Sequence, residues 1–178
     1  MKSYFFYLFV FFITIGFAQE KEPSEEVFKP NHSIALLLGH THLRQGEVDG
    51  EKKWLALPNF GLDYNYYFTE KWSIGFHNDI VIENFKVEDE NDEIIERTRP
   101  IASLLMGGYK PGKHFTFEAG LGGEFAKEEN LFVTRIGVEY GVELPKEWEF
   151  IANFVYDNKW GTYDSFGLSV GVAKSFGK

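Results

Sequence analysis

From residue 31 onward, side chains change character at every second position, in run after run. In the segment 131–144, Phe132, Thr134, Ile136, Val138, Tyr140, Val142 and Leu144 alternate with Arg135, Gly137, Glu139, Gly141 and Glu143. In 164–177, Phe166, Leu168, Val170, Val172 and Phe176 alternate with Ser165, Gly167, Ser169, Gly171, Ala173 and Ser175. A period of two means a β-strand whose two faces meet different surroundings. The pattern places eight strands near 31–42, 54–68, 72–86, 97–110, 114–126, 131–144, 148–158 and 164–177. Each reaches the roughly 9–11 residues that a tilted strand needs to cross a hydrocarbon layer. The connections alternate as well. Thr69-Glu70-Lys71, Pro111-Gly112-Lys113 and Pro145-Lys146-Glu147 are tight, whereas 43–53 and 87–96 are long and charged and 127–130 and 159–163 are polar. Short turns at one end and long loops at the other are the mark of an up-and-down barrel inserted from one side of a membrane. The expected class is all-β, an eight-stranded antiparallel up-and-down transmembrane β-barrel.

The N-terminus supports a secreted protein. Lys2 precedes the apolar run from Tyr4 to Ile15, and Gly16-Phe17-Ala18 ends it with small residues where a signal peptidase reads. We expect a cleaved signal at 1–18, a polar linker at 19–30 broken by Pro23 and Pro30, and the barrel at 31–178. No later apolar run is long enough for a membrane helix, so a spanning structure must be a closed barrel. The chain has no Cys, which removes disulfides, thiolate metal sites and lipid-modified cysteine. A formal charge of -9 argues against nucleic acid, since phosphate contacts need clustered Lys and Arg.

Alternation alone does not say which face points inward. A soluble, lipocalin-like periplasmic ligand binder would put the apolar face inside. Two features favour the inverse. The polar faces are rich in Gly and Ser, which suit the narrow interior of eight strands. Aromatics such as Trp54, Trp72, Trp148, Tyr156, Trp160 and Phe176 gather at strand ends, as in membrane-interface belts. With the tight turns fixing register, Arg99 falls opposite Glu124, Glu124 opposite Arg135, and Arg135 opposite Asp157, with Glu83 beside Arg99. Asp63 falls opposite His77, two residues from Asp79. We therefore expect a lumen charge network of Glu83, Arg99, Glu124, Arg135, Asp157, Asp63 and His77. Such a network gives a plugged interior, because an unpaired charge in a narrow lumen is costly.

His40-Thr41-His42 puts two imidazoles on one strand face, a weak metal candidate without a visible third ligand. The acidic stretch from Asp89 to Glu93 lacks the Gly and spaced Glu of a calcium loop. Gly120-Leu121-Gly122-Gly123 lies within a strand and is no nucleotide fingerprint. No cofactor is expected, and no enzyme; a lipid A-modifying activity that paired Ser165 or the His-x-His with a partner near the outer leaflet is the alternative. In strand number, turn–loop alternation and a last strand ending in Phe176, the mature chain resembles the small OmpA/OmpX-type outer-membrane barrels. Through Leu62-Asp63-Tyr64-Asn65-Tyr66-Tyr67-Phe68 and Val138-Glu139-Tyr140-Gly141 it also resembles secreted barrel proteins of Bacteroidota. The resemblance implies the bacterial outer membrane, contact with its lipid and lipopolysaccharide, a monomer, and a structural or surface-interaction role through the loops at 43–53 and 87–96.

Overall fold

A computed structural model describes residues 28–89 and 91–177. The expected signal at 1–18 and most of the linker lie outside the described residues. The chain forms β1 (Asn31–Val48), β2 (Glu51–Tyr67), β3 (Trp72–Val81), β4 (Phe85–Glu88), β5 (Ile94–Arg97), β6 (Ile101–Tyr109), β7 (Phe115–Phe125), β8 (Asn130–Leu144), β9 (Trp148–Lys159) and β10 (Tyr163–Phe176). Eight of these run antiparallel in the order β10-β9-β8-β7-β6-β3-β2-β1, and β10 pairs back onto β1. The closing seam runs from His32 opposite Phe176 to Leu43 opposite Ser165. Closure removes every free edge from this wall, as a membrane-spanning sheet requires.

The wall is inverted relative to a soluble protein. Leu36, Leu38, Ile136, Leu168 and Leu121 point outward and are 61%, 57%, 61%, 53% and 55% exposed, whereas Asp63, His77, Glu118, Arg135 and Asp157 on the opposite face are buried. Aromatic clusters ring both ends of the outer wall. Trp72 packs on Tyr109, and His32 on Tyr66 and Phe176, at the end that holds the termini. Phe132 meets Trp160, and Tyr156 meets Phe166, at the other.

The far end departs from the expected plain loops. β1 and β2 continue past the barrel to a turn at Asp49-Gly50, both with positive φ (56° and 81°). Asp-Gly is the pair that tolerates this conformation, and it gives a tight hairpin where the sequence suggested a loop at 43–53. The third expected strand stops at Val81, and the fourth begins at Ile101 rather than 97. Between them β4 and β5 form a small hairpin, joined to β1 through Gly46 opposite Val87. Pro58 sits in β2 just above the first β2–β3 pair, Asn59 opposite Val81, so its missing N–H leaves that ladder intact.

Candidate functional site

Among the described residues, charged side chains meet in the lumen. Its centre is Arg135 of β8. Nε and Nη2 donate to Asp157 Oδ1 and Oδ2 of β9 at 2.6 and 2.9 Å, and Nη1 donates to Asp79 of β3. The fork of the guanidinium suits a bidentate carboxylate. Lys159, two residues beyond Asp157 on the same face, donates to Asp157 Oδ2 at 3.2 Å and to the Ser165 hydroxyl, and lies 3.9 Å from Glu124. Glu124 in turn accepts from Arg97 Nη2 (2.6 Å), from Arg97 Nε (3.1 Å) and from the Tyr163 hydroxyl (2.7 Å). Arg97 also donates to the Glu129 carbonyl and is fully buried. A chain of alternating charge therefore climbs from Asp79 to Arg97.

Above it, Phe85 and Val87 of the β4–β5 hairpin pack on Leu43, Leu57, Val81, Leu131 and Tyr163, an apolar cap across the barrel mouth. Beneath the cap, the space left in the centre amounts to about 30 Å³. That volume is enough for about one water. Lower down, His77 faces Asp63 through Nδ1 (3.5 Å), and Asn65 Oδ1 (3.1 Å) and Glu118 (3.9 Å) through Nε2.

The expected network is partly rearranged. Asp63 lies directly opposite His77, and Arg135 directly opposite Asp157. Glu124 is in the lumen, yet its cross-strand neighbours are Ala102 and Leu131, not Arg99 and Arg135. Glu83 and Arg99 do not enter the lumen; both are exposed in the links around the hairpin, and Arg99 has a φ of 41°. The cause is register. The β6–β7 turn is wider than a minimal hairpin, with its last pair Tyr109 opposite Phe117, and its ends bond instead to neighbouring hairpins: Lys110 N–H donates to Lys71 O and Gly141 N–H donates to His114 O. The pairing moves by three residues, and an odd slip turns every side chain to the opposite face. The β7–β8 offset is four, which keeps Glu124 inside. Arg97 takes the place expected for Arg99.

Sequence reasoning missed Arg97, Lys159, Tyr163 and Glu118. The spacing of Asp157 and Lys159 on one strand face was a readable signal; the position of Arg97 required the unforeseen hairpin. His40 and His42 lie on the outer wall with ring centroids 6.4 Å apart. Among the described residues no three His, Asp or Glu side chains converge on a metal position. Ser165 faces inward and is 1% exposed, whereas His42, beside it across the seam, faces outward, so the two stand on opposite sides of the wall.

A closed eight-stranded antiparallel sheet with a polar interior and an apolar outer wall defines the class: the fold is that of the small OmpA/OmpX-type outer-membrane β-barrels. Within that class, the chain is similar to Ail, the attachment invasion locus protein of Yersinia pestis, whose structure was solved in complex with the heparin analogue sucrose octasulfate. The TM-score is 0.56 at 14% identity, over 84% of this chain and 100% of that chain. It is also similar to the outer membrane protein OprG of Pseudomonas aeruginosa, with a TM-score of 0.50 at 14% identity, over 82% of this chain and 96% of that chain. At such identities the likeness is one of fold. No protein-family model and no curated protein matches the sequence.

Proposed function

We propose that the chain is a bacterial outer-membrane barrel with a shut lumen and a structural or surface-interaction role, and that it performs no catalysis. The observation that carries this reading is the wall itself. Soluble monomers rarely expose contiguous apolar patches beyond a few hundred Å², and here the outward faces of all eight barrel strands are apolar. The soluble-carrier reading fares worse, because the interior holds ionised side chains and a cavity of only about 30 Å³. The separation of His42 from Ser165 weighs against the lipid-modifying alternative.

Contact with a partner falls to the arm built from the ends of β1 and β2 and from β4–β5. It presents Trp54 and Ile94, 64% and 52% exposed. Its charges lean acidic: Glu47, Asp49, Glu51, Glu83, Glu88, Asp89, Asp92, Glu93 and Glu96 stand against Arg44, Lys52, Lys53, Lys86 and Arg99. That balance favours a cationic partner, or divalent-cation bridges to lipopolysaccharide, over a sulfated polyanion of the kind bound to Ail. The test is gel mobility of protein extracted from native outer membranes. A faster band without boiling, in the membrane fraction, is the expected result. A soluble protein without a mobility shift sinks the reading.

A further inference from the structure

In the upper lumen each carboxylate has a cation. Arg97 holds Glu124, Arg135 holds Asp157 and Asp79, and Lys159 joins Asp157 to Glu124. Asp63 stands outside that balance. Among the described residues it meets no Arg or Lys at ion-pair distance; its neighbour is His77, 3.5 Å away, and His77 has Glu118 on its other side at 3.9 Å. Even a charged imidazole compensates one of these two carboxylates and leaves the other unpaired. Buried charges are paired or coordinate metals, because an isolated one is too costly to desolvate.

A second observation is independent of charge. Among the described residues, Asp63 and Asn153, 4% and 6% exposed, each leave a buried Oδ1 without a hydrogen-bond partner. Asp63 turns Oδ2 to His77, and Asn153 turns its amide nitrogen to Glu118 at 3.5 Å. Neither His77 nor Glu118 lines the central cavity of about 30 Å³, whereas Asp63 and Asn153 both do. The unpartnered oxygens are therefore the sides of these two groups left to the cavity. Asp79 lines it too. It gives Oδ2 to Arg135, and its Oδ1 lies over Gly61, where an added Cβ would come within 3.0 Å of it. Oxygen acceptors from β2, β3 and β9 thus border a space the size of about one water, with negative charge in surplus.

We propose that the central cavity binds one dehydrated alkali cation, sodium or potassium, held by Asp63 Oδ1 and Asn153 Oδ1 with Asp79 beside them. A water in that place satisfies the two acceptors and leaves Asp63 without a counter-ion, whereas a cation supplies both needs. Carboxylate and amide oxygens are the ligands that hard cations take. A single positive charge matches the one carboxylate left over. A magnesium ion that keeps its shell does not fit, since six waters at about 30 Å³ each occupy roughly 180 Å³. Among the described residues no three His, Asp or Glu side chains gather as a calcium or zinc site needs.

Reversible urea unfolding of the full barrel in detergent, at mildly alkaline pH and constant ionic strength, reads the ion. The midpoint is expected to be higher in NaCl or KCl than in choline chloride, whose cation is too large for the cavity. The shift grows with the logarithm of the alkali-ion concentration, as binding to the folded state requires, and the salt that gives the larger shift names the ion. Asp63→Asn removes the shift. Asn153→Ala keeps the charge of Asp63 and reduces the shift, and it carries the test if Asp63→Asn does not fold. Asp92→Asn/Glu93→Gln in the arm leaves the shift unchanged. The proposal is overturned by equal midpoints in the three salts, or by a shift that survives Asp63→Asn, that is undiminished in Asn153→Ala, or that the arm variant abolishes. The inference needs the closed barrel and not its place in a membrane. Heat-modifiable mobility of each variant therefore tests folding separately from the ion.

Discussion

Arg135 gives two nitrogens to Asp157 and a third to Asp79, with its side chain 5% exposed. Its removal leaves two carboxylates buried with less compensation. Arg135→Ala is therefore expected to destabilise the barrel by about 3–5 kcal/mol, the range for breaking a buried pair from one side. Urea unfolding in detergent measures it. Arg99, exposed and without such partners, provides the contrast: Arg99→Ala should stay within about 0.5 kcal/mol. Equal losses in the two variants would mean that the register described for β6 and β7 is wrong. Glycine positions separate in the same way. A Cβ on Gly122 would lie 2.1 Å from the Ser103 carbonyl oxygen and 2.7 Å from Leu104 Cα, main-chain atoms that cannot step aside, whereas on Gly107 the nearest atom is 3.7 Å away. Gly122→Ala should cost about 1–3 kcal/mol, as overpacking does, and Gly107→Ala almost nothing, in the same unfolding assay.

The β4–β5 hairpin is the element with the most distinct behaviour, since it leaves the barrel wall and returns across its mouth. Its turn is organised by Asp89. The Glu93 backbone N–H, then the backbone and side-chain amides of Asn91, donate to the Asp89 carboxylate and hold its pKa below the usual carboxylate range. A lowered folded-state pKa stabilises the ionised form, so this contribution is complete above the ordinary Asp value and is lost as the pH falls through Asp89's lowered one. Protection of the Glu93 and Asn91 amides, taken relative to the intrinsic exchange rate at each pH, should fall in that acid window, and Asp89→Asn should remove this change. Protection that does not change across the window in the unsubstituted protein would refute this. At the other end of the hairpin, Glu128 accepts from the Thr98 backbone N–H at 3.1 Å and from its hydroxyl at 2.6 Å. Loop 126–129 thereby clasps the hairpin to the wall.

For the whole molecule, the cap lies above the charge chain along the lumen, and the proposal of a shut lumen makes the two act in series. Replacing residues 85–97 by a short Gly-Ser link should not produce steady conductance in a planar bilayer, because Arg135 still ties β8 to β3 and β9 across the interior. Stepwise currents from that variant would show the cap to be the sole barrier. The strand periodicity, the class, the inversion of the wall and the pairs Asp63–His77 and Arg135–Asp157 were legible in the sequence. Alternation is a local property, and the connections at 69–71 and 145–147 are short enough to fix register by themselves. The place of Arg97 and the exclusion of Glu83 and Arg99 were not. They depend on the width of the β6–β7 turn and on a hairpin that packs over the mouth. Closure of the sheet then brought Glu124 of β7 to Tyr163 of β10, and Glu118 of β7 to His77 of β3. The sequence by itself determined which face of each strand is polar, because side chains alternate along an extended chain whatever its neighbours do. Only the tertiary structure decided which polar groups meet across the lumen, because a slip of one or three residues between strands turns a buried partner out to the surface.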